Sequence, residues 1–210
     1  TKIDLTAQSV ILRNSSNETI VVHNPSTVTN DTSLDQTNTN SRDGSAFSNS
    51  TFVHFYWTHD GTTLKSRSSA TAPPTGPTLP SPETYWAYCC TFRKDGSGNF
   101  LKQQYYGNKG TYEEYQEILT GGTASTETAI STSSVVPTIA ASFVGHTFNT
   151  SNNVFSWLRV VSGKDWNFTY AVGSQITDVP NTGTIYYFNG PSPNGGYYLR
   201  VLGYEVPNGG

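Results

Sequence analysis

The chain is punctuated throughout by short runs of aromatic and β-branched residues set between clusters of Gly, Pro, Asn, Asp and Ser. TFVHFYWT (51–58), ETYWAYCCTFR (83–93), VFSWLRVV (154–161), GTIYYF (183–188) and GYYLRVLGYEV (196–206) are the strongest of these runs. Runs of this length and content suit the pleated, half-buried surface of a strand, and their boundaries suit turns. Ser9–Arg13 and Thr19–His23 add a pair of strands joined by the polar turn NSSNE. FLKQQYY (100–106) reads as the hairpin partner of 83–93, and VVPTIAASFVGHTF (135–148) gives one or two more strands. Helical patterns are too few for an α/β chain. The expected class is all-β, a jelly roll or another Greek-key β-sandwich.

One stretch has the marks of a helix. Thr111-Tyr112-Glu113-Glu114 matches a capping box, and Tyr112, Tyr115, Ile118 and Leu119 share one helical face before Gly121-Gly122. The pattern predicts a short inserted helix at about 112–119. Two long segments are predicted to be loops of one domain spanning 1–210. Residues 24–49 are too polar to build a core alone, and SRSSATAPPTGPTLPSP (66–82) has five prolines.

Composition narrows the function classes. Ser, Thr and Asn make up about a third of the chain, well above ordinary usage, while only 13% of residues are charged. The net charge is −3, and no cluster of Lys and Arg exceeds the pair Arg93-Lys94. A broad nucleic-acid-binding face is therefore not expected, and direct nucleic-acid binding is doubtful. Cys89 and Cys90 are neighbours, so on a strand they point to opposite faces and suit no mutual bridge. So much Asn, Ser and Thr produces several Asn-X-Ser/Thr sequons by chance, so the six present are not read as evidence of secretion. No apolar run is long enough to span a bilayer as a helix.

Chemistry is sparse. His23, His54, His59 and His146 show no metal-ligand spacing, and Asp95-Gly96-Ser97-Gly98-Asn99 reads as a hairpin turn rather than a calcium loop. Glu113, Glu114 and Glu117 are explained by capping, with no facing carboxylate in view. Neither an enzyme nor a bound cofactor or metal is expected. The aromatics are the remaining signal. Trp57, Trp86, Trp157 and Trp166 read first as core residues. The candidate contact residues, for a partner subunit or a glycan, are Tyr105, Tyr106, Trp166, Asn189, Asn194, Tyr197, Tyr198 and Tyr204. Residues 183–206 read as a hairpin with both faces of both strands largely apolar, which leaves the loop 189–196 as the part free to touch a different kind of partner.

GTIYYFNG, PSPNGG and YYLRVLGYEV resemble the closing strands of the jelly-roll shell domain in coat proteins of small icosahedral RNA viruses, of the nodavirus and tombusvirus type. That resemblance implies a virion structural protein, present in the virion and assembled in host cytoplasm from copies of itself or sister subunits. YYFNGPSPNGG is also similar in flavour to glycan-binding spike heads, so a receptor-binding or lectin-like module is the alternative, with a cell-surface glycan as partner. The basic arm and the calcium-binding acidic clusters usual in such coat proteins have no counterpart here.

Overall fold

The computed structural model describes residues 2–150, 155–160, 167–170, 174–189 and 196–207. It is all-β. Contacts divide the chain into two compact units, residues 1–101 (with 208–210) and 102–207, where the sequence reading took 1–210 as one domain. Each unit is described by itself.

The first unit holds one eight-stranded sheet. Its strands are β1 (Lys2–Leu5), β2 (Ser9–Arg13), β3 (Thr19–His23), β4 (Val28–Asp31), β5 (Ser41–Arg42), β6 (Phe52–His59), β7 (Leu64–Ser69) and β8 (Tyr85–Arg93). The order across the sheet is β1-β4-β5-β7-β6-β8-β2-β3. The joins of β5 to β4 and β7 are parallel and the rest antiparallel. β6 is buried along nearly its whole length, its Val53, Phe55, Tyr56 and Trp57 together with the polar His54, Thr58 and His59. Phe55 meets Phe92 and Phe100 edge-on at 5.7 and 5.8 Å, and Tyr56 meets Trp86 at 5.4 Å.

The polar segment 24–49 is therefore not simply a loop, because it supplies β4 and β5. Its buried row is made of polar side chains that bond one another. Asn30 Nδ2 donates to Ser66 Oγ at 3.1 Å and to the Ser41 carbonyl at 3.3 Å. The segment 66–82 likewise begins inside β7 and only then becomes proline-rich. Gly76 sits against Trp86 with φ +77°, and a Cβ there would come within 2.5 Å of the ring. Position 76 thus needs glycine both for its backbone angle and for the close approach.

The second unit holds a five-stranded and a four-stranded sheet. Its strands are β9 (Gln103–Tyr106), β10 (Lys109–Gly122), β11 (Thr128–Ser131), β12 (Ser142–Asn149), β13 (Phe155–Arg159), β14 (Asn167–Tyr170), β15 (Ser174–Pro180), β16 (Thr184–Asn189) and β17 (Tyr197–Glu205). The sheet orders are β15-β12-β17-β10-β9 and β11-β16-β13-β14. Four nested antiparallel pairs, β13–β14, β12–β15, β11–β16 and β10–β17, form one long eight-stranded hairpin. Rolling that hairpin up adds β12–β17 and β13–β16 and distributes the eight strands over two sheets. This is the jelly roll, with β9 as an extra edge strand.

Three sequence expectations are corrected by the strand pairing. The helix at 112–119 is absent, and those residues form part of β10. Eight residues fall short of the roughly 12–15 an isolated helix needs. As a strand, β10 pairs with β9 over Lys109–Tyr112 and with β17 from Lys109 to Gly122 with register shifts, partners that a lone short helix would not have. Residues 183–206 are not a hairpin either. β16 and β17 lie in different sheets, and Tyr187 and Tyr197 stack across the core with centroids 6.1 Å apart. Similarly β9 pairs with β10, and only the Lys94–Phe100 bridge joins 100–106 to the segment before it.

Candidate interaction face

Alternation along the strands of the second unit decides which rings are available. In β17, Tyr197, Leu199 and Val201 point into the core, while Tyr198, Arg200 and Leu202 turn outward. In β12, Val144, His146 and Phe148 turn outward between buried Phe143, Gly145 and Thr147. Register sets Phe148 beside Tyr198, and His146 between Arg200 and Ile176. Glu117 of β10 lies opposite Arg200.

The outward side chains form a continuous ladder. The Arg200 guanidinium lies 3.9 Å from the Tyr115 ring centre and 4.4 Å from that of Phe148. Phe148 stacks on Tyr198 with centroids 4.5 Å apart and planes 6° from parallel, and His146 stands 5.6 Å from Phe148. Arg200 Nε also reaches Glu117 Oε1 at 3.4 Å. Cation–π contact and an ion pair thus hold the one cation in place, and the rings cover its aliphatic stem. Tyr115 and Ile176 are among the exposed large apolar side chains. At the other end of this face a groove of about 270 Å³ is lined by Lys109, Ser142, Val144, Asp178, Leu202 and Glu205 among others.

The residues singled out in the sequence fall into three places. Tyr198 belongs to the ladder. Tyr106 stands by the turn between β9 and β10, 92% exposed. Tyr197, Tyr204 and Asn189 lie inside the unit, so their side chains offer no surface to a second molecule. Tyr204 accepts a hydrogen bond from Gln103 Nε2 at 2.8 Å and packs edge-on against Tyr105 and Tyr112. Asn189 donates to the Gly122 carbonyl at 2.8 Å and accepts from Asn149 Nδ2 at 3.0 Å, tying the two sheets together. Trp166 and Asn194 lie outside the described residues.

The sequence reading missed Tyr115, Glu117, His146, Phe148, Ile176 and Arg200. The available signal was the spacing of two in HTF (146–148) and YLR (198–200), which puts a ring and a cation or imidazole on one strand face. The ladder offers contact area and one oriented charge rather than a nucleophile paired with a base. Among the described residues no three of His, Cys, Asp and Glu converge as metal ligands, and no helix is long and apolar enough to cross a membrane. No family model, no curated protein and no solved structure matches the chain. The class defined here is therefore structural: a jelly-roll β-sandwich whose outer sheet face carries an aromatic and arginine ladder.

Proposed function

We propose that this chain is a virion structural protein, a jelly-roll subunit that associates with copies of itself into a capsid or its projections. The observation that carries the reading is the rolled eight-stranded hairpin of residues 109–205, the architecture recurrent in viral capsid domains. The outward ladder supports it, since subunit interfaces favour Tyr, Phe and Arg and avoid dense charge. In this reading the two sheets are a rigid wedge and assembly is the function.

The test is direct. Purified protein, concentrated and inspected by sedimentation and negative-stain electron microscopy, is expected to form rings, projections or shells. A monomer at all concentrations would remove the proposal.

A glycan-binding role has one specific observation in its favour. Tyr106 exposes its ring on a turn, where it would serve as a stacking plate for a sugar. It predicts binding on a glycan array that is lost in Tyr106→Ala. A blank array with folded protein eliminates it.

A further inference from the structure

The first unit has an edge strand of unusual character. β3 ends the eight-stranded sheet, and its sequence Thr-Ile-Val-Val-His carries no fixed charge and no proline. Edges of soluble sheets are ordinarily blunted by charge, proline or a bulge. The opposite edge of this sheet, β1, carries Lys2 and Asp4. In the second unit β15 carries Asp178 and Pro180, and the other edges, β9, β11 and β14, are only four residues long. β3 has no such device.

The hydrogen-bond phase shows what the edge presents. Asn14 N–H donates to the Glu18 carbonyl at 3.1 Å, and Asn24 N–H donates to the Gln8 carbonyl at 2.7 Å. These contacts bracket the β2–β3 register of Arg13–Thr19 through Ser9–His23. Bonded pairs alternate in an antiparallel ladder, so Leu12–Ile20 and Val10–Val22 exchange the bonds between the strands. Thr19, Val21 and His23 consequently turn their N–H and C=O groups off the sheet edge.

We infer that β3 pairs antiparallel with β3 of a second copy, about a two-fold axis through Val21, joining two eight-stranded sheets edge to edge. Phase and length select this register. The axis passes through a residue of β3, as a bonded pair at Thr19, Val21 or His23 or as a non-bonded pair at Ile20 or Val22. Centring on Thr19 or Ile20 runs the pairing into the NSSNE turn, and centring on Val22 or His23 sets Thr19 or Val21 against Pro25. Only Val21 keeps all five residues paired. Thr19 then faces His23 of the second copy, Ile20 faces Val22, and Val21 faces itself, giving three pairs that exchange two bonds each.

The side chains agree on both faces. Opposed residues in an antiparallel pair point the same way. On the outer face Ile11, 58% exposed, and Val21, 47% exposed, already lie opposite each other, and the axis extends them into a four-residue apolar row. On the inner face Leu12–Ile20 continues into Val22–Val10 of the second copy. No like charges meet. The inference goes beyond the virion reading and does not depend on it, because a sheet-to-sheet dimer is possible outside any particle.

Cysteine cross-linking of the full chain tests it. In a bonded antiparallel pair the two position-21 Cα atoms lie roughly 5.5 Å apart, within disulfide reach. Two position-11 Cα atoms would be about 14 Å apart, three strand spacings. Val21→Cys is expected to oxidise to a covalent dimer, while Ile11→Cys, at a more exposed site, stays monomeric. Native Cys89 and Cys90 are a background common to both. Equal cross-linking at both positions, or none at either, overturns the inference. A second variant, Val21→Lys, sets two cations against each other across the axis. It is expected to weaken dimerisation at least tenfold in sedimentation with the circular dichroism unchanged. An unaltered dimer affinity also overturns the pairing. A Val21→Cys dimer without particles sinks the virion reading alone, and particles without the cross-link sink the pairing alone.

Discussion

His54 lies on β6, inside the first unit, where its Nδ1 is 2.7 Å from Thr91 Oγ1. Burial disfavours the imidazolium and lowers the pKa from 6.5 to about 4. The sign follows. Between pH 6.5 and 4 the unfolded chain takes up a proton that the folded chain refuses, so stability rises with pH across that window and is lost on acidification. At 1.36 kcal/mol per pH unit the loss amounts to about 3 kcal/mol. His54→Gln keeps a hydrogen-bonding group toward Thr91 and removes the titration. Denaturant unfolding at several pH values is expected to show a flatter profile between 6.5 and 4 in the variant. An equally steep profile would assign the acid sensitivity to other groups.

Among the elements, strands built on apolar runs were readable and strands built on polar rows were not. β6, β8, β16 and β17 announce themselves through Phe, Tyr, Trp and Val. β4 and β5 do not, because their buried contacts are made by Asn30, Ser41 and Arg67. β10 misled for another reason. Its register shifts between Thr111 and Gln116, and again near Leu119, so the period of two is broken where the apolar residues fall. The outward ladder was half legible: Tyr198 drew notice as a ring, but Arg200 and Phe148 gain meaning only once β12 and β17 are set side by side. Arg67 shows how the polar segment is fastened. It forms a two-pronged pair with Glu83 and donates to the Asn38 carbonyl at 2.8 Å and to Ser41 Oγ at 2.7 Å. Both partners are buried. Arg67→Ala leaves the Glu83 carboxylate inside with no counter-charge, and breaking such a pair costs about 3–5 kcal/mol. Chemical denaturation should show that loss, with residues 24–49 becoming an early target for proteases. A cost under about 1 kcal/mol, the range of an exposed pair, would mean that water reaches the site.

At the scale of the whole molecule, the decisive information was which strands pair, and the pairing joins residues far apart in the chain. β10 bonds to β17 across more than eighty intervening residues for most of its length. Nothing local in either strand states that partner, so the jelly roll was legible as a class and not as a wiring diagram. The wiring carries its own consequence. Every strand pairing of β9–β17 closes within residues 103–205. The long-range bonds that fasten them are internal as well: Gln103 to Tyr204, Asn108 to Glu205, Asn149 to Asn189 and Arg159 to Glu127. A fragment of residues 102–207 therefore keeps all its ladder partners and its core of Phe143, Leu158, Val179, Ile185, Leu199 and Val201. Expressed alone, it is expected to show a β-type circular dichroism spectrum and one cooperative unfolding transition. The mostly non-local pairing places its refolding in the slow range for small domains, about milliseconds to seconds. A fragment that unfolds without cooperativity would show that the rolled hairpin needs residues 1–101 to close.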